Sequence, residues 1–388
     1  MLYPVIGNSI FITNGETWKS QRQLLEPAFS VTRIQDSFER MNRAVDDMRA
    51  RLSKIPDGGV FEVEPEMTHV TADVIFRTIC SLSISQKEAT ETFEAFLEYQ
   101  RFSYGDSVPS LINIPKYLSL RWWRGRHAAT RIRNVLDPMV QSRYENFVKG
   151  EPDNNNDMLS ALLNASRSET GSAMKFTYKE LADQIAMLFL AGHETSASAL
   201  SWATYLIAAQ PEIQERMHAE AMAVMGADTP QFQHMKRLTL TRDVFRETLR
   251  LYPSVPFFTR ESTRREKMRD KVIEAGALLV LSPWLSHRNE TLWDKPHVFD
   301  PDRFDRPETQ ESVRNAYFPF SAGRRVCLGA AFALQEAVLV LAVIVRDYKL
   351  EVLKGDEPMP LARATIRTYG GIRVRLTRRD KTGVTQSA

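Results

Sequence analysis

Apolar residues recur every three or four positions along most of this chain, with charged residues between them. Ile34, Phe38, Met41, Val45, Met48 and Leu52 form one such series. Residues 33–55 therefore read as a helix with a single core-facing stripe, ended by Pro56-Asp57-Gly58-Gly59. The same period predicts helices over 65–82, 86–104, 121–149, 211–226 and 240–252. Residues 177–210 are different. Leu181, Ile185, Met187, Leu188, Phe189, Leu200, Trp202 and Ile207 cover every side of the helix, so it is expected to be buried. A second strongly apolar helix is predicted over 330–345. Strand signals are short. Val272-Ile273 and residues 277–281 flank Glu274-Ala275-Gly276 as one hairpin, and residues 362–377 alternate around Gly370-Gly371 as another. Residues 1–17, broken by Pro4, Gly7 and Gly15, and residues 105–120, broken by Gly105, Pro109 and Pro115, read as loops. The fold class is mainly α with small β-sheets.

Composition narrows the choices only a little. A net charge of +3 implies no nucleic-acid partner. Two cysteines, Cys80 and Cys327, cannot make a disulfide framework, which fits a reducing compartment. No uncharged stretch is long enough to cross a membrane, and no secretory signal opens the chain. A cytoplasmic location is expected.

The chemistry is concentrated in Phe320-Ser321-Ala322-Gly323-Arg324-Arg325-Val326-Cys327-Leu328-Gly329. A thiolate is a strong soft ligand for iron if it is shielded and aimed. Gly323 and Gly329 let backbone pass close to a flat cofactor, and Phe320 can exclude water. Arg325 can reach a carboxylate at the cofactor's rim. A buried cysteine in a glycine-bearing turn is the plainer alternative. Elsewhere, Trp18 and Arg22 share one helix face and can donate to one carboxylate. Ala191-Gly192-His193-Glu194-Thr195-Ser196 places an acid and a hydroxyl inside a buried helix, which is costly unless they are used. Glu247 and Arg250 are three apart and can pair.

The spacing Phe-x-x-Gly-x-Arg-x-Cys-x-Gly resembles the haem-thiolate loop of the cytochrome P450 family. Four further stretches resemble that family in the same order: Trp18-x-x-x-Arg22, Gly192-x-Glu194-Thr195, Glu247-x-x-Arg250, and the segment around Arg303 in Phe299-Asp300-Pro301-Asp302-Arg303-Phe304. The resemblance runs from about Ile6 to Leu376. It implies a helical triangular prism around a non-covalent haem b, with residues 1–388 as a single domain; the chain has no Cys-x-x-Cys-His for covalent attachment. It assigns Cys327 as metal ligand. Trp18, Arg22, Arg260, Phe320, Gly323, Arg325 and Gly329 would contact the cofactor, and Thr195 and Glu194 would be catalytic, guiding protons to dioxygen. Arg303 would join Glu247 and Arg250 beneath the cysteine loop. His193 receives no role, and His287 is a haem contact or a structural residue. Phe93, Phe96, Leu97, Phe102 and Tyr104 are substrate contacts or core.

The implied reaction inserts one oxygen atom into a small apolar organic substrate. NAD(P)H would serve only through a reductase and a ferredoxin- or flavodoxin-type donor, with Arg324 and Lys19 facing that partner. A monomer is expected. One departure stands out: only 17 residues precede Trp18, where the family has a further helix and sheet strands. An N-terminally incomplete chain without activity is the alternative expectation.

Overall fold

The computed structural model describes residues 3–104, 120–151, 153, 155–165 and 176–379. Its main helices are α1 (Gly15–Leu25), α2 (Val31–Leu52), α3 (Val63–Cys80), α4 (Gln86–Tyr104), α5 (Leu120–Val148), α6 (Tyr178–Ala208), α7 (Pro211–Met225), α8 (Thr239–Leu251) and α9 (Ala330–Asp347). From α2 to α9 each falls within a few residues of its predicted span; α1, the helix expected to carry Trp18 and Arg22, begins at Gly15, inside the stretch expected as a loop. The loop expected at 105–120 lies, apart from Leu120, outside the described residues.

The all-round apolar helix α6 is buried along most of its length and packs against α3, α5, α8 and α9. Thr177 and Glu180 begin it with a reciprocal capping box. The small residues near its middle have a packing reason. A Cβ on Gly192 would stand 2.6 Å from Ile75 Cδ1 of α3, so glycine lets the two helices approach. Asn14 holds the cap position of α1 without a capping bond. Its side-chain oxygen accepts instead from Arg325, at 2.6 Å.

The strands pair differently from the sequence expectation. β4 (Lys271–Ile273) pairs with β3 (Glu266–Met268), turning at Arg269, whose φ is +59°. β5 (Leu278–Leu281) pairs with β2 (Phe258–Glu261). The residues around Glu274-Ala275-Gly276 therefore join two sheets and close no hairpin. Likewise β8 (Ile366–Tyr369) pairs with β7 (Met359–Ala362), whereas β9 (Arg373–Arg378) lies between β1 (Gly59–Glu62) and β6 (Tyr348–Val352). Gly370 and Gly371, both at positive φ, swing the chain from one sheet to the next.

A buried ionic knot fixes the segment leading to the cysteine loop. Glu247 accepts from Arg250 at 2.8 Å and from Arg303 at 2.9 Å, and all three are buried. Arg250 also donates to the carbonyls of His287, Pro296 and Val298. A surface pair of this kind would contribute little. Here each charge is matched and its hydrogen bonds are filled, so the knot dictates how residues 287–303 wrap around α8.

Candidate active site

The cysteine loop is bent by two residues at positive φ, Ser321 (+64°) and Gly323 (+69°). The bend lets the Cys327 amide donate back to the Phe320 carbonyl at 3.0 Å. Gly329 then caps α9, with its carbonyl accepting from Ala333 at 2.8 Å. Cys327 is exposed as a residue, although protein surrounds its sulfur closely enough for desolvation to push the thiol up. The Gly329 amide and the nearby charge of Arg22 pull the other way, toward thiolate. Cys80 makes a useful contrast. It is buried in α3 and held at about 12 by desolvation, so it stays a neutral thiol. Gly323 needs its backbone freedom, whereas Gly329 does not: a side chain there would meet only Phe29, at 3.7 Å.

Arginines gather around this loop. Arg325 lies over the Trp18 ring, 4.3 Å from its centroid, and donates to the carbonyls of Ile10 and Thr13. Arg260 donates to Ser321 Oγ at 3.0 Å and lies over Phe258. Burial, and then repulsion from Arg260, lower the pKa of Arg325. Neither guanidinium has a carboxylate partner among the described residues. Arg22 is committed differently. It donates to the Val326 carbonyl at 2.8 Å and pairs with Glu26, so it braces the loop from below. Phe320 packs against the core. Lys19 is neutralised by Glu16, leaving Arg324 exposed and without an ion pair among the described residues.

On α6, Ala191 is exposed and Gly192 and Thr195 are part-exposed, in a helix otherwise closed to solvent around them. The Thr195 hydroxyl donates to the Ala191 carbonyl at 2.6 Å. Glu194 points into the protein, where Thr365 donates to it at 2.7 Å and Arg367 at 3.1 Å. Desolvation opposes its charge, but Arg367 wins and lowers its pKa. His193 is buried, stacked on Phe189 and kept neutral by desolvation, near 4. His287 is structural: Nδ1 faces the Arg250 carbonyl at 3.2 Å, and Nε2 accepts from the Phe318 amide at 3.0 Å. The Nδ1–H tautomer satisfies both.

These parts amount to a thiol in an electropositive bend, two uncompensated arginines beside it, and a buried helix with one small-residue face left open. The sequence model of the family described as "Cytochrome P450" matches residues 1–370. The chain belongs to the cytochrome P450 family. It is 30% identical to "Cyclooctatin synthase" of Streptomyces melanosporofaciens over 372 residues, which is 96% of this chain and 79% of that protein. It is 29% identical to "Cyclooctat-9-en-7-ol 5-monooxygenase" of the same organism, over 90% of this chain and 74% of that one. Among solved structures, a cytochrome P450 haem domain superposes with a TM-score of 0.85 at 21% identity, covering 98% of this chain and 82% of its own. That match agrees with the mainly helical fold predicted from the sequence.

This P450 chain is an oxidoreductase of the monooxygenase type with a haem cofactor. The residues present fit that group. A soft sulfur ligand is carried by a loop that contains one arginine and binds another, both without carboxylate partners among the described residues, as the carboxylates of a haem require. Two residues of the site were missed by sequence reasoning. Arg367 holds Glu194 from 173 positions away. Glu336, buried on α9, is pushed up to about 8 by desolvation, against the pull of Ser196 on α6. Of the candidate substrate contacts, Phe96 is core and Phe102 lies beneath Arg124. The side chains of Phe93 and Tyr104 lie outside the described residues.

Proposed function

We propose that the protein inserts one atom of dioxygen into a small apolar organic substrate, working as a monomeric single domain in the cytoplasm with electrons from a separate ferredoxin- or flavodoxin-type donor. The observation that carries this reading is the cysteine loop: Cys327 lies near the charge of Arg22, and the loop around it is held by Arg325 and by Arg260, which donates to Ser321, both without carboxylate partners among the described residues. Haem b, when bound, supplies reductive activation of dioxygen, and a thiolate ligand favours the O–O cleavage. The chain supplies the rest. Cys327 is the one protein ligand, and the Gly329 amide and Arg22 favour its thiolate form against the desolvation that pushes the thiol up. Arg325 and Arg260 take the carboxylates of the cofactor, with Trp18 stacked beneath Arg325. Gly323 sets the bend, while Phe320 and Gly329 keep the surroundings of the sulfur dry and close.

On α6, Thr195 Oγ1 would be the proton donor, beside the open face of that helix. Glu194 stands next to it on the proton path and relays protons only on releasing Arg367. Arg324, exposed beside the cysteine, faces the electron donor. Opposite charge then speeds encounter, and salt weakens that effect. The test is turnover of haem-loaded protein with NADPH alone and with an added donor. Oxidation only with the donor, slowed by Arg324→Glu at low salt, supports the reading. Oxidation with NADPH and no partner overturns the donor assignment.

A further inference from the structure

The ends of α6 and α8 meet at a cavity of about 560 Å³, within the roughly 300–1,000 Å³ usual for small-molecule sites. Tyr205 and Leu206 line it from α6, Leu251 and Tyr252 from the end of α8, and Trp284 and Arg288 from the chain that follows. Phe299 and Pro360 add to the apolar lining. No residue of the cysteine loop takes part, and neither do Ala191, Gly192 and Thr195 of the open face of α6.

The aromatic part of this lining is held firmly. Tyr252 stacks on the buried Trp202 at 3.9 Å with the ring planes 4° apart, and the Arg288 guanidinium lies 3.5 Å from the centre of the Trp284 ring. Arg288 donates to the carbonyls of Leu251 and Trp284. Part of its role is therefore plain, because the end of a helix carries partial negative charge and favours a cation. That partial charge does not match a whole one. Arg288 has no carboxylate partner among the described residues, and its Nε–H has no acceptor among them. Burial lowers its pKa to about 10, as expected of a cation short of negative charge. The hydroxyls of Tyr205 and Tyr252 also lack hydrogen-bond partners among the described residues.

We infer that this cavity binds a small aromatic carboxylate of one or two rings. Arg288 and the tyrosine hydroxyls meet the carboxylate, while Leu206, Phe299 and Pro360 cover the ring. A free inorganic anion would leave those walls wet, and a neutral ring would leave the guanidinium unmet. The inference does not rest on the monooxygenase reading.

The test is equilibrium dialysis of the haem-loaded full chain against 1-naphthoate and against the neutral 1-naphthalenemethanol. Naphthoate should bind saturably at one site without moving the haem absorption band, and the alcohol should bind roughly tenfold or more weaker. Arg288→Gln should weaken naphthoate by a similar factor. Ala209→Trp, which fills the cavity and leaves Arg288 in place, should abolish saturable binding with an unchanged circular dichroism spectrum, so it reads the cavity even where Arg288→Gln loses stability. No saturable binding to the wild type, unchanged affinity in Ala209→Trp, equal affinity for the alcohol, or a haem band that shifts with occupancy overturns the inference.

Discussion

Arg325 and Trp18 stack 4.3 Å apart, and this contact joins the two ends of the chain. Arg325 belongs to the cysteine loop and Trp18 to α1, and the same guanidinium holds the carbonyls of Ile10 and Thr13. One cation therefore fixes residues 10–14, the first long helix and the loop around Cys327.

Replacing Arg325 should release all three. Arg325→Gln loses charge-assisted bonds of about 1.5–3 kcal/mol each in general. It should lower the haem-to-protein ratio and expose residues 7–14 to limited proteolysis. Arg325→Lys, which cannot serve several acceptors in one plane, should recover little. Full haem content in Arg325→Gln would contradict the assignment.

The Glu247 knot yields an ordered prediction for stability. Glu247→Leu strands Arg250 and Arg303 as buried cations and should cost about 3–5 kcal/mol in urea unfolding. Arg303→Met leaves the Glu247–Arg250 pair whole and should cost clearly less. The reverse order would mean that Arg303 holds the wrap through its backbone acceptors and not through Glu247.

The elements of this fold were legible where periodicity alone decides them. Helix α6 has apolar residues on every side, and only a buried helix satisfies that. Strand pairing was not legible, because β5 finds its partner β2 across an intervening hairpin. The turn of that hairpin, Arg269-Asp270, lies between Glu266-Lys267-Met268 and Lys271-Val272-Ile273, too short to carry a clear hydrophobic alternation. The cysteine loop could be read because its chemistry is contiguous in sequence. The fate of Glu194 could not, because its cation comes from β8. Arg22 was readable as a partner for an anion, but its bond to the Val326 carbonyl depends on the bend of a distant loop.

Thr195→Ala should leave the fold and haem content unchanged, since among the described residues its hydroxyl bonds only to the Ala191 carbonyl one turn back. It should divert reducing equivalents from product to peroxide or water, because the hydroxyl proposed as proton donor beside the open face of α6 is lost. The check is product formed per NADPH consumed. An unchanged ratio would remove Thr195 from the proton path.

Glu336 should make stability fall with rising pH. Its folded pKa is about 8, above the ordinary carboxylate value of about 4.3. The unfolded chain therefore loses this proton first. The contribution is fully present below the unfolded value, declines as pH rises, and is gone once pH passes about 8. Glu336→Gln should flatten the melting temperature between these limits and raise it at the alkaline end. Parallel profiles for the two proteins would show that Glu336 is ionised in the fold.

The central claim is that Cys327 binds the haem iron as a thiolate. The most direct measurement is the difference spectrum of reduced, carbon-monoxide-treated protein. The wild type and Cys80→Ala, which changes only a neutral buried thiol, should both give the red-shifted band of a thiolate ligand, and Cys327→Ser should lose it. A wild type without that band, or a Cys327→Ser variant that keeps it, would contradict the account.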